Sequence, residues 1–192
     1  PISAPAAATS GTVHVVVTTP GGVSTETDND RYTYVDAPVV TGVSPDKGPI
    51  AGGGTVTIAG SFLSGATAVT FGAASAGFTV VSATEITATV PAGAIGTVDV
   101  RVTTAGGMSA NTSADDYRYF GIPVITGLTP SRGPVAGGQT VVIAGSNFVG
   151  ATSVLFGGSS IAFTVNSDSQ ITVTSPAGSV GTVDVQVITP GG

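Results

Sequence analysis

Residues 38–60 read PVVTGVSPDKGPIAGGGTVTIAG, and residues 123–145 read PVITGLTPSRGPVAGGQTVVIAG. The two stretches align without a gap at an offset of 85 (123 minus 38). The match runs on to GTVDVRVTTAGG at 96–107 and GTVDVQVITPGG at 181–192, and a partial third copy, GTVHVVVTTPGG, occupies 11–22. A period this long is one small domain, not one turn of a solenoid. The chain is therefore expected to be an excerpt from a tandem array. Residues 1–37 would close a preceding copy, 38–122 would form a whole copy, and 123–192 would form a copy lacking its closing strand.

Within the whole copy, turn signals cut the chain into about seven segments of strand length, the spacing of an all-β sandwich. Strands are predicted at 38–43, 55–60, 66–71, 77–81, 84–90, 97–103 and 116–120. Alternation puts Val56 and Ile58 on one face of their strand and threonines on the other, and it lines up Ile86, Ala88 and Val90 in the same way. Phe71 and Phe78 are the large core candidates. In Thr97–Thr103 the three valines point in while Asp99 and Arg101 point out, so a one-residue slip would bury both charges. Ala105-Gly106-Gly107 reads as a hairpin turn. In the partial copy, Val13, Val15 and Val17 point inward, and His14 takes the outward place of Asp99.

Composition bounds the class. Of 192 residues 41% are hydrophobic and 8% charged, which is too apolar for intrinsic disorder, and no apolar run is long enough to cross a bilayer as a helix. The 29 glycines and 12 prolines, set among Val, Thr and Ser, are the alphabet of short strands and tight turns. Five basic against eleven acidic residues give a net charge of −6, which repels phosphate backbones and argues against nucleic acid and anionic membranes as partners. There is no cysteine, so disulfides, Cys-ligated zinc and thiol nucleophiles are excluded.

The motif Pro-x-[Val/Ile]-Thr-Gly-[Val/Leu]-[Ser/Thr]-Pro at 38–45 and 123–130, followed by Gly-Pro-x-Ala-Gly-Gly at 48–53 and 133–138, resembles the opening of the IPT/TIG domain. So does the run Gly145 to Gly157, which is similar to that family's Gly-x-x-Phe-x-Gly-x-x-x-Val-x-Phe-Gly segment. Ile171, Pro176 and Gly181-Thr182-Val183-Asp184-Val185 complete the pattern. The first full copy departs at Phe62 and Leu63, which stand where the second has Asn147 and Phe148, and a shifted aromatic with no change of fold is expected. The resemblance implies tandem immunoglobulin-like β-sandwiches. Such domains occur in some eukaryotic transcription factors, plexin-type receptors, bacterial surface proteins and secreted glycan-degrading enzymes. The acidic balance argues against the first branch and the lack of cysteine against the second, leaving bacterial extracellular arrays.

Candidate chemistry is sparse. A Ser-His-Asp set could only use His14, whose place Asp99 and Asp184 take in the other copies, so no catalytic residue is predicted. The clusters Gly48–Gly54 and Gly133–Gly138 lack a Gly-Lys-[Ser/Thr] ending and precede strands, which reads as turn geometry rather than phosphate binding. Asp28, Asp30, Asp115 and Asp116 lie just before the closing strands and are candidate Ca²⁺ ligands, with a solvated turn as the simpler reading. No cofactor is expected. Tyr32 and Tyr34, like Tyr117 and Tyr119, put two rings on one strand face, either to pack in the core or at a joint or to stack on sugar rings. Asn111-Thr112-Ser113 is a glycosylation acceptor pattern to which no role is assigned.

The function expected from repetition without chemistry is a non-catalytic structural or interaction array, a stalk, adhesin or filament spacer outside a bacterial cell. Its partners would be its own neighbouring copies, other copies of the chain joined by strand completion, or surface polysaccharide. The alternatives are a carbohydrate-binding accessory module of a secreted glycan-active enzyme and a phage or virion decoration domain.

Overall fold

The computed structural model describes residue 5 and residues 9–192, so residues 1–4 and 6–8 of the partial copy lie outside the described residues. The partial copy supplies β1 (Gly11–His14), β2 (Thr18–Thr19), β3 (Gly22–Val23) and β4 (Arg31–Tyr34), with a 3-10 turn at Asp28–Asp30. The copy at 38–122 supplies β5 (Val39–Ser44), β6 (Lys47–Pro49), β7 (Thr55–Ser61), β8 (Ala68–Phe71), β9 (Ala74–Ser75) and β10 (Phe78–Ser82). It continues with β11 (Glu85–Thr89), β12 (Gly96–Thr104), β13 (Gly107–Met108) and β14 (Asp116–Phe120). The copy at 123–192 supplies β15 (Val124–Thr129), β16 (Thr140–Ser146), β17 (Ser153–Phe156), β18 (Ser159–Ile161), β19 (Phe163–Ser167), β20 (Gln170–Thr174) and β21 (Val185–Ile188). The all-β expectation holds throughout.

The two longer copies share the order of their four-stranded sheet and of three strands of the other sheet. In the first, one sheet runs β10-β11-β7-β5 and the other β6-β14-β12-β8-β9, with β13 on β12; in the second, the sheets run β19-β20-β16-β15 and β18-β17-β21. Val141 and Ile143 of β16 with Ile171 and Val173 of β20 meet Val154 of β17 and Val187 of β21 in one buried cluster around Phe148. That is a two-sheet sandwich, and each fully buried aliphatic side chain in it contributes about 1.5–3 kcal/mol. Period-2 alternation of β-branched residues produces it, since every second side chain of a strand faces the opposite sheet. Val56, Ile58, Ile86, Ala88 and Val90 are buried as their alternation predicts.

Two compact units are distinguished, residues 1–43, 57–88 and 99–115, and residues 44–56, 89–98 and 116–192. In the first, β1 pairs antiparallel with β4, β10 with β11, and β8 with β12. In the second, β14 runs parallel to β6, with Tyr119 opposite Gly48, beside the sandwich just described.

The departure at 62–63 resolves differently from the shifted aromatic expected. Leu63 and Phe148 are both fully buried, so the core position stays in place and only its side chain differs. Phe62 and Asn147 instead share a left-handed backbone, φ 56° and 60°, and Phe62 faces solvent. Asn takes that conformation readily, whereas an aromatic there is strained.

Candidate functional site

The two acidic clusters lie on one recurrent turn. At the first, the Thr27 N–H donates to Asp30 Oδ2 (2.8 Å) and the Asn29 N–H to Thr27 Oγ1 (3.3 Å). At the second, 85 residues on, the Thr112 N–H donates to Asp115 Oδ1 (3.0 Å) and the Ala114 N–H to Thr112 Oγ1 (3.3 Å). This reciprocal Thr-x-x-Asp cap satisfies backbone donors that the tight turn leaves free, and it seats one carboxylate oxygen.

The second oxygen separates the copies. Asp30 Oδ1 hydrogen-bonds His14 Nδ1 on β1. That bond, acting against partial desolvation and helped by the Thr27 N–H, holds the Asp30 carboxyl below its ordinary value of 3.8. Asp115 is fully buried, and its Oδ2 has no hydrogen-bond partner among the described residues. Carboxylate oxygens of Asp99, Asp115 and Asp116 all lie within 4.8 Å of one another. Asn111 Nδ2 donates to Asp99 Oδ2.

Of the four predicted acidic ligands, then, Asp115 and Asp116 join a cluster, while Asp30 is engaged by His14 and Asp28 forms an exposed pair with Arg31 at 2.9 Å. Asp99 escapes sequence reasoning as a member because alternation marks it only as outward-facing. The 85-residue offset carries the signal, since it places Asp99 on His14 and Asp115 on Asp30.

The tyrosine pairs are edge-to-face, with ring centroids 4.9 Å apart for Tyr32 and Tyr34 and 5.0 Å for Tyr117 and Tyr119. Tyr117 and Tyr119 are buried, so their faces meet protein and are not offered for stacking on a sugar. Gly48 and Gly93 make room for these rings, and Tyr119 Oη donates to Pro91 O at 2.8 Å. Burial raises both phenol pKa values, helped at Tyr117 by Tyr119 and Asp46. Tyr32 remains 45% exposed, while Tyr34 Oη donates to Pro5 O at 2.8 Å. A groove of 670 Å³ lined by Arg132, Gly133, Val135, Pro176, Gly178 and Val183 occupies the corresponding part of the copy at 123–192. Its lining matches, at the 85-residue offset, the seat that Tyr117 and Tyr119 fill in the preceding copy, including Gly48, Pro91 and Gly93.

The joint at 120–123 is tightly built. The Asn147 side chain donates from Nδ2 to Ile122 O at 2.8 Å and lies against Gly121, and the Phe120 ring lies on Gly150. Arg118 stacks over that ring, 4.8 Å from its centroid. Gly191, in the hairpin turn after β21, abuts the Phe120 and Gly121 carbonyls. Gly106, one period earlier, abuts the Val35 and Asp36 carbonyls. The hairpin glycine thus meets the backbone that precedes its own copy in both cases.

Among curated proteins the chain is similar to human Fibrocystin-L, 29% identical over 127 residues, and to its mouse counterpart, 34% identical over 114 residues. These matches take in 66% and 59% of the chain but only 3% of the length of each relative. Solved structures with similarity include the plexin A4 extracellular region, domains 1 to 10 (24% identity, TM-score 0.46, 80% of this chain and 14% of that one). Another is SGBP-B from a complex xyloglucan utilization locus in Bacteroides uniformis (24%, 0.38, 81% and 47%). Superpositions this loose carry no function across. The family model for the IPT/TIG domain matches residues 38–119 and again 123–192, the frame in which the four-stranded sheet recurs in the same order, and the chain belongs to the IPT/TIG domain family.

Proposed function

We propose that this chain is a non-catalytic segment of an extracellular or cell-surface array, and that it holds successive IPT/TIG domains at a restricted angle for display or spacing. The joint carries this reading. A flexible linker needs a run of small polar residues free of contacts. Here Phe120 is engaged by Gly150, Gly121 by Asn147 and Gly191, and Ile122 by Asn147, and Pro123 stiffens the entry to β15. The recurrence of the hairpin-glycine contact at Gly106 supports a joint repeated along the array.

The scarcity of reactive groups supports the non-catalytic part. The chain has one histidine and no cysteine, and His14 is bonded to Asp30. Small-angle scattering together with NMR relaxation on the 192-residue chain tests the proposal. Correlated tumbling of residues 38–122 and 123–192 is expected, and independent tumbling would overturn it. Saturable binding of a soluble polysaccharide would assign the chain instead to recognition. No observation at the tyrosines or the groove favours that reading, because the rings of the full copy are buried and the groove matches a core seat.

A further inference from the structure

We infer that Asp99, Asp115 and Asp116 form a divalent-cation site in the copy at 38–122, one that takes Ca²⁺ in the place where the preceding copy uses a histidine. Such a site would stand whether or not the chain serves as a spacer.

An acidic cluster alone proves little, because exposed carboxylates are common. Here a buried one is left over. Asp115 is fully buried, its Oδ1 is held by the Thr112 N–H, and Oδ2 is the oxygen left for the cluster with no hydrogen bond of its own. Burying a carboxylate oxygen without a partner is costly, and placing a second carboxylate beside it costs more. The neighbouring copy shows how the fold meets the same need. With the same threonine cap, the free oxygen of Asp30 receives His14 Nδ1 from the strand position that Asp99 occupies one period later. Replacing that donor by Asp99 turns a donor–acceptor pair into an acceptor–acceptor pair. Arg31 is likewise replaced by Asp116. Both changes remove positive or donating groups and add negative ones, and a bound cation restores the balance.

The donors select the ion. All three are carboxylate oxygens, and the adjoining Asn111 amide can add its own oxygen by flipping away from the Asp99 bond. With no sulfur or imidazole present, hard cations are favoured over zinc or copper. Oxygens within 4.8 Å of one another suit Ca²⁺, across which opposed ligands stand about 4.6–5.2 Å apart. Mg²⁺ would have to draw opposed ligands to about 4.0–4.2 Å. Solvent supplies the remaining ligands at exposed Asp116, which fits the modest affinity of about 10⁻⁴–10⁻³ M seen in extracellular modules.

The test is a thermal and calorimetric titration of the 192-residue chain with Ca²⁺ alone and Mg²⁺ alone. It compares the parent with Asp99→His, which restores the arrangement of the preceding copy, and with Asp99→Asn. A saturable Ca²⁺ response is expected, with a rise in Tm of about 5 °C at about 10 mM and a weaker response to Mg²⁺. Both variants should lose it, and Asp99→His should be at least as stable as the Ca²⁺-free parent. If a variant misfolds by circular dichroism, Tb³⁺ luminescence sensitised by Tyr117 and Tyr119, with competition by Ca²⁺, reports on the parent directly. No saturable response up to about 10 mM would overturn the inference. So would a response that survives Asp99→His.

Discussion

Asp30 and Asp115 are the same residue on the same turn, and what each does depends on one residue of the neighbouring strand. His14 donates to Asp30, whereas Asp99 offers Asp115 a second acceptor. The consequence for Asp30 is measurable, because His14 stabilises its charged form. A carboxyl whose pKa is lowered on folding contributes stability that is complete above its ordinary value of 3.8 and is lost as pH falls through the lowered one. NMR titration should show Asp30 protonating below that ordinary value, with the contact between β1 and the 28–30 turn loosening in the same range. In His14→Ala the Asp30 titration should move back up toward 3.8. A titration that His14→Ala leaves in place would show that the bond does not hold the turn.

Among the strands, β14 packs two tyrosine rings into the protein. Its alternation is Tyr117 and Tyr119 inward and Arg118 outward, and the parallel pairing with β6 sets Tyr119 opposite Gly48. Tyr119→Phe removes the bond to Pro91 O and leaves that carbonyl short of a partner in a part-buried place, a loss of about 1–2 kcal/mol to be read from denaturant unfolding. Alkali should act on the same strand. Both phenols are raised above 10.0 by burial, so folding favours their neutral form; that contribution is whole below pH 10 and lost as pH rises through the raised values. Unfolding followed by tyrosinate absorbance from about pH 9 to about pH 12 should show the phenolate appearing together with loss of structure in the parent. The strand itself is legible from the Tyr-x-Tyr pattern. Which of its two roles the rings play is not, because a Tyr-x-Tyr face reads the same whether it meets solvent or the glycines at 48 and 93.

Across the chain, the hairpin glycines make backbone contacts that leave no room for a side chain. A Cβ at Gly191 would overlap the Gly121 carbonyl, and one at Gly106 would overlap that of Asp36. Gly191→Ala should therefore cost about 1–3 kcal/mol and make residues 38–122 and 123–192 tumble more independently in NMR relaxation. Gly127→Ala, where a Cβ meets open space, should stay within about 0.5 kcal/mol of the parent and leave tumbling unchanged. Equal effects of the two substitutions would remove the joint from the account of rigidity. Local pattern suffices for the all-β class, the 85-residue frame and the inward faces of β7, β11 and β12, because strand periodicity is local. In the partial copy the same alternation does not hold, since Val13, Val15 and Val17, expected inward, are all exposed. How far a strand extends and which charges meet depend on packing between distant segments. GTVDVRVTT forms the nine residues of β12, flanked by β14 and β8, whereas the near-identical GTVDVQVIT is strand only over the four residues of β21, which among the described residues pairs with β17 alone. A strand needs a hydrogen-bonded neighbour along its length. In the same way, Asp99 and Asp115 lie 16 residues apart in the chain (115 minus 99) and become neighbours only when the turn folds back on β12, a closure that no local pattern encodes.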